Sequence, residues 1–184
     1  MSAIDDLARL IETTAKARGA DLSNFDAEAF VDSLDDDTIA EMLEPIVEEE
    51  TWLRYNRFDT LFPDEGPLRR ELYPRHMEFF AAQKTHREVC FMAANRVGKT
   101  VAGAYSVTAY LTGRYPEWWP GHVFKHPIRC WAAGDTNETT RDIIQLELLG
   151  NVISGTEGRK TVDGTGLIPA ECIGQPKWKQ GVQD

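Results

Sequence analysis

The tripeptide Gly98-Lys99-Thr100 constrains this chain more than any other feature, because of what flanks it. Before it, Val89-Cys90-Phe91-Met92 is a short apolar run of the kind that makes a buried parallel strand. After it, Lys99 to Thr112 is rich in small and apolar residues, and Gly113 is a helix stop. Strand, tight loop and helix start, in that order, are what a phosphate-binding loop requires. Backbone N–H groups of the loop and helix N-terminus wrap a phosphate, the lysine reaches the β- and γ-phosphates, and the threonine hydroxyl ligates Mg²⁺. The usual pattern G-x-x-x-x-G-K-[ST] puts glycine at position 93, where this chain has Ala93. A bare Gly-Lys-Thr also fits a helix start at which Gly98 merely turns the chain and Lys99 points to water. Arg96 weighs against that bland reading, since a second cation in the loop calls for an anion, although a surface arginine can also pair with a nearby carboxylate.

The chain has 184 residues, enough for one ordinary domain plus an appendage. Charge is divided unevenly along it. Residues 1–67 hold 5 Lys+Arg against 18 Asp+Glu, whereas residues 68–184 hold 15 against 12. The acidic part is a poor surface for nucleic acid, and the basic excess of the rest is too small to prove DNA binding. The breaker-rich stretch Phe62-Pro63-Asp64-Glu65-Gly66-Pro67 marks a boundary between an acidic helical arm, 1–67, and a second region, 68–184. Cys90, Cys130 and Cys172 are scattered, and two fall in expected strands, which suits reduced thiols in an intracellular core. The N-terminus lacks a signal-peptide pattern, and no apolar run approaches the roughly 20 residues of a membrane span.

In chain order, the spacing of Ile4, Leu7, Ala8, Leu10, Ile11 and Ala15 predicts a helix over 3–18, ended by Gly19. A second helix is expected over 26–34. A third, capped by Asp35-Asp36-Asp37, is expected from Thr38 to about Arg57, kinked or split at Pro45. Pro74 starts the helix that leads into the loop strand. Trp118 and Trp119 sit in an aromatic loop, where packing over a sheet edge is favoured over a DNA or partner contact. Ile128 to Ala133 reads as a second strand, with Asp135 just past its end, where open α/β sheets place ligands. Thr136 or Asn137 caps a helix from Glu138 to Leu149, and Gly150 ends it. His122, His126 and Cys130 have a spacing that invites a zinc assignment, but no fourth ligand is near and Cys130 belongs to the strand. Residues 151–166 read as loop.

These elements make an α/β fold: a P-loop NTPase-like parallel sheet, preceded by the acidic helices. Two parallel strands are too few to complete such a sheet. A nucleotide hydrolase also needs a second acidic site, usually a strand ending in Asp-Glu, to hold Mg²⁺ and orient water. Asp135 is the one candidate at a strand end. By its own chemistry the chain is equipped to bind ATP and Mg²⁺ and poorly equipped to hydrolyse ATP, as expected of the N-terminal part of a larger protein.

Several stretches together resemble the large terminase subunit of tailed bacteriophages. They are Tyr73-Pro74-Arg75-His76-x-x-Phe79, Ala94-Asn95-Arg96-Val97-Gly98-Lys99-Thr100, Leu111-Thr112-Gly113-Arg114-Tyr115-Pro116-x-Trp118-Trp119 and Thr139-Thr140-Arg141-Asp142. The resemblance covers roughly residues 70–184. It implies an ATPase domain that drives double-stranded DNA into a procapsid, in the cytoplasm of an infected bacterium and without a membrane. It also implies a homo-oligomeric ring on the portal protein and a small terminase subunit that selects the DNA. Nucleotide contacts are then expected at Ala94, Asn95, Arg96, Val97, Gly98, Lys99, Thr100, Tyr73 and His76. Lys99 and Arg96 take the catalytic roles, Arg96 by stabilising the γ-phosphate, and Thr100 and Asp135 take Mg²⁺. The family commonly has Gln where this chain has His76, which cannot present both an amide donor and an amide carbonyl to adenine. Ala93 and Ala94 stand where glycines often occur. The acidic Walker B pair and the nuclease domain are absent from these residues. The alternatives are a stand-alone nucleotide- or partner-binding module without turnover, and a different P-loop enzyme such as a kinase or helicase, against which the aromatic loop and the Tyr73 stretch argue.

Overall fold

Asp35 opens the first described helix, α1 (Asp36–Tyr55), in the computed structural model, which describes residues 30, 34–155 and 159–178. Its carboxylate accepts from the Thr38 N–H at 2.8 Å and from the Thr38 hydroxyl at 3.0 Å, and these bonds lower its pKa. Pro45 lies inside α1, which runs through it unbroken, so of the two expectations, a kink or a split, the split is not what forms. A proline deletes one N–H, and the other bonds of a 20-residue helix carry it across the gap. The helices expected over 3–18 and 26–34 fall outside the described residues, apart from Phe30, which is helical, and Leu34, which lies in a bend.

The chain divides into two compact units, Met1–Trp52 and Leu53–Asp184. The breaker-rich stretch 62–67 lies inside the second unit. That unit holds α2 (Arg57–Thr60), a 3₁₀ turn (Arg70–Leu72), α3 (Pro74–Thr85), α4 (Lys99–Thr112), α5 (Asn137–Thr139), a π-helical segment (Thr140–Gln145) and α6 (Leu146–Leu149). Two short strands, β1 (Val152–Ser154) and β2 (Lys160–Val162), and a last 3₁₀ turn (Ala170–Cys172) follow. The boundaries follow the local chemistry. Pro74 takes the first position of α3, where its missing N–H costs nothing. Gly98 and Gly113 bracket α4 in left-handed conformations, φ 80° and 71°. Thr136 caps α5 by accepting from the Thr139 N–H at 3.0 Å.

An aromatic cluster forms the larger core. Tyr105 of α4 stacks on Phe58 at 4.4 Å, and Phe62 meets Tyr105, Phe80 and Tyr73 edge-on at 5.2 to 5.6 Å. Trp118 and Trp119 turn inward onto this cluster, 5.8 Å from Tyr105 and 5.0 Å from Phe80. What they cover is α3 and α4 rather than a sheet edge. Arg70 lies 4.9 Å over the Trp118 ring and ion-pairs with Asp64. A second, smaller cluster joins Ala104 of α4 to Leu148, Leu167 and Ile168.

The parallel sheet expected from sequence is not formed among the described residues. Residues 89–92 and 128–133 have no strand pairing, and Met92 and Trp131 are 86% and 96% exposed. A strand exists only through a ladder partner, and neither stretch finds one in the described chain. The thiols expected in a core are accordingly exposed at Cys90, Cys130 and Cys172. The sheet present is two-stranded and antiparallel, pairing Val152 with Val162 and Ser154 with Lys160. It occupies a stretch that reads as loop, because no alternation of apolar and polar residues announces it.

Asp163 closes this hairpin. Its carboxylate accepts from Asn151 N–H at 2.9 Å, Asn151 Nδ2 at 2.8 Å, Thr165 N–H at 3.0 Å and Thr165 Oγ1 at 2.7 Å. Burial pushes the carboxyl up, and the bonds from Asn151 and Thr165 outweigh it, holding the pKa at about 2. The folded value lies below the ordinary 3.8, so the stabilisation is complete above that pH and is lost as pH falls through about 2. Asp163→Ala is expected to cost about 1–3 kcal/mol in urea unfolding at pH 7. The gap to wild type should close in acid between the two values.

Candidate functional site

A cleft of about 1210 Å³ runs from the 3₁₀ turn and the start of α3 to the phosphate-type loop. Leu68, Leu72, Phe79 and Phe91 give it apolar walls, and Tyr73, His76, Arg96, Val97 and Gly98 also line it. An apolar slot opening onto a loop of backbone donors has the make-up of a small-molecule site. Ala94, Asn95, Lys99 and Thr100 continue the loop beyond the lining. Asp135 lies in an exposed turn ahead of α5 and does not line the cleft.

The loop takes its shape from two left-handed residues. Arg96 has φ 61° and Gly98 φ 80°, and between them they turn the chain into α4. Among the described residues, the first backbone bond into the helix runs from Ala102 N–H to the Gly98 carbonyl at 2.9 Å. Apart from the Val97 N–H, which closes a turn over residues 95–96, the N–H groups from Arg96 to Thr100 have no backbone acceptor there. Together with the helix dipole they form a concentration of positive potential. Lys99 folds back over the loop, its ammonium donating to the Ala93 and Ala94 carbonyls at 2.7 and 2.5 Å. The donor set therefore fits a phosphate: several unpaired N–H groups, one ammonium and the Arg96 guanidinium. Among the described residues the one carboxylate lining the cleft is that of Glu78, and Arg75 holds it at 2.6 Å.

His76 sits beneath the loop, 7% exposed. Rings of Tyr73 and Phe91 lie edge-on 5.3 Å away, and that of Phe62 at 5.9 Å. A Cβ placed on Gly98 would lie 3.0 Å from His76 Nε2. Burial lowers the imidazole pKa, while backbone groups of Gly98 and Val97 oppose the shift. The folded value thus lies below the ordinary 6.5, so stability is whole above that pH and falls as His76 protonates in the unfolded chain first. Urea unfolding at pH 7.5 and 5.5 should show a loss of stability on acidification that is smaller in His76→Gln.

Of the residues singled out in the sequence, Tyr73 at the α3 N-cap, His76 of α3 and the loop residues Arg96, Val97 and Gly98 line one cleft, whose apolar walls the sequence did not announce. Leu68 and Leu72 precede α3 in a turn with no periodicity, and Phe79 stood out in the sequence only as the end of the stretch from Tyr73. The histidines at 122 and 126 flank Phe124, with ring centroids 4.5 and 6.1 Å away. Among the described residues no group of three or more His, Cys, Asp or Glu is arranged to hold a metal. No described helix is long and apolar enough to cross a membrane.

The terminase large subunit of Salmonella phage P22 is 34% identical over 165 residues, spanning 83% of this chain. The chain is a relative of phage terminase large subunits. It spans about 30% of the length of that curated protein. A match over 83% of the chain is longer than residues 68–184, so the similarity reaches into the acidic N-terminal part, where the sequence motifs did not extend it. No protein-family model matches this terminase relative, and no solved structure matches it.

Proposed function

We propose that this terminase relative binds MgATP at the loop 93–100 and serves, within a terminase large subunit, the ATP-driven packaging of double-stranded DNA. The observation that carries the reading is the set of unpaired N–H donors within residues 96–100, joined by Lys99 and opening onto an apolar cleft. Ala94, Asn95, Arg96, Val97, Gly98 and Lys99 surround the phosphates, with Lys99 exchanging its carbonyl partners for phosphate oxygens. Arg96, exposed at the cleft mouth, neutralises charge developing at the γ-phosphate. Tyr73 and His76 border the part of the cleft that receives the base. The Thr100 hydroxyl, with Asp135 a weaker second, would hold Mg²⁺, which would supply charge neutralisation at the phosphates.

In this reading the protein works as a ring on the portal, fed by a small terminase subunit. The central parallel sheet of a P-loop ATPase would form when residues 89–92 and 128–133 gain ladder partners. A second reading, binding without turnover by this chain alone, is favoured by the lack of a free carboxylate among the described residues that line the cleft, where Glu78 is tied to Arg75. Calorimetric titration with MgATP and a phosphate-release assay on the same protein test both readings. Binding without release supports the second for this chain. Absence of binding overturns both.

A further inference from the structure

We propose that His76 is a positioning residue for the phosphate loop and acts on nucleotide through Gly98 rather than by reading the base. The proposal rests on the nucleotide-binding reading above. His76 stands at the junction of α3 and the loop, and its surroundings leave it one polar direction. Tyr73, Phe91 and Phe62 enclose the ring on its other sides. Nε2 points at Gly98, so closely that even a methyl group there would stand 3.0 Å away.

Gly98 is also the residue on which the loop depends. Its φ of 80° sets the direction of the first turn of α4, and its carbonyl takes the first helical bond, from Ala102. A side chain seated against that residue fixes the aim of the unpaired N–H groups within residues 96–100. A misdirected donor contributes little, because hydrogen bonds weaken steeply with angle. The charged groups lining the same cleft are Arg75, Glu78 and Arg96, and Arg75 and Glu78 are paired with each other. With Nε2 turned to Gly98, one ring nitrogen is left, and it cannot offer a purine both a donor and an acceptor contact. Its effect is therefore common to every ligand that carries the same phosphates.

The test uses ligands that differ in the base. Affinities of the protein and of His76→Ala are measured for MgATP, MgGTP and magnesium tripolyphosphate, which has no base. Loss by a common factor of about tenfold for all three, with the ATP-to-GTP ratio unchanged, is the expected result. His76→Gln, which keeps a planar polar group, should recover most of that loss, and it carries the same comparison if His76→Ala fails to fold. Gly98→Ala should cost less affinity in the His76→Ala background than in the wild type, since the crowding at 3.0 Å is then removed. Loss for ATP with tripolyphosphate unaffected, or a changed ATP-to-GTP ratio, would overturn the proposal and make His76 a base reader. Unchanged affinities would overturn it too. If Lys99→Ala also left tripolyphosphate binding intact, the failure would lie in the phosphate-loop reading itself.

Discussion

Lys99→Ala is expected to weaken MgATP binding by about 10- to 100-fold, with little change in the stability of the fold. An ammonium–phosphate contact is a charge-assisted hydrogen bond, contributing about 1.5–3 kcal/mol, and each 1.4 kcal/mol is about tenfold in affinity. The stability side of the argument is separate. In the protein Lys99 donates only to two loop carbonyls, those of Ala93 and Ala94, and both residues are exposed. It also begins α4, where a positive charge opposes the helix dipole. Removing it should therefore move the unfolding midpoint by no more than about 0.5 kcal/mol. Affinity falling while stability holds is the pattern of a ligand-facing lysine. Titration calorimetry beside urea unfolding separates this outcome from a folding defect. Unchanged affinity would mean that Lys99 points to water, as a bare helix start would have it. If the wild type also releases phosphate and the variant does not, a carboxylate within this chain orients the water, and Asp135 is the first to replace.

Gly166→Ala is expected to destabilise the fold by about 3–5 kcal/mol. A Cβ there would lie 2.4 Å from the carbonyl carbon and oxygen of Leu148 and from Leu149 N, all backbone atoms that cannot rotate away. The segment is pinned to α6 by Leu167 N–H to the Glu147 carbonyl at 2.8 Å and Ile168 N–H to the Leu148 carbonyl at 2.9 Å. Relieving the clash means lifting that segment, which strains both bonds and loosens Leu167, a fully buried side chain. Overpacking costs about 1–3 kcal/mol and each lost bond about 0.5–1.5. The midpoint of thermal unfolding should fall by about 6–20 °C on the usual scaling for a chain of this size. Gly103→Ala is the control. It lies in the interior of α4 with nothing within 4 Å of its Cβ position. There alanine should stabilise by about 0.5–1 kcal/mol. Equal effects at the two glycines would contradict the packing of 166–168 against α6.

The site was legible where a residue's local chemistry is also its role. Gly98, Lys99 and Thr100 carry their geometry with them, because a left-handed residue followed by a helix start needs no distant partner to present its donors. Pro74 at the start of α3, Gly113 at the end of α4 and Thr136 as a cap were readable for the same reason. Glycine at 166 looks like loop filler in the sequence, and its need for a hydrogen in place of a side chain comes from Leu148, eighteen residues away along the chain. Trp118 and Trp119 were rightly read as packing residues, yet the partners they found, Tyr105 and Phe80, belong to helices. An apolar surface chooses the nearest apolar surface, and a sequence does not say which that is.

The sequence by itself determined the helices on either side of the loop, the acidic helix with its Asp35 cap, and the kinship to terminase large subunits. These rest on backbone dihedrals, capping and residue identity, which act over a few positions. Only the tertiary structure decided the rest. It placed the cleft walls of Leu68, Leu72, Phe79 and Phe91, turned His76 under Gly98, and paired residues 152–154 with 160–162 around Asp163. It also left 89–92 and 128–133 unpaired among the described residues. Burial and strand pairing are contracts between distant segments, so a run of apolar residues states a capacity, and the partner that meets it determines the structure.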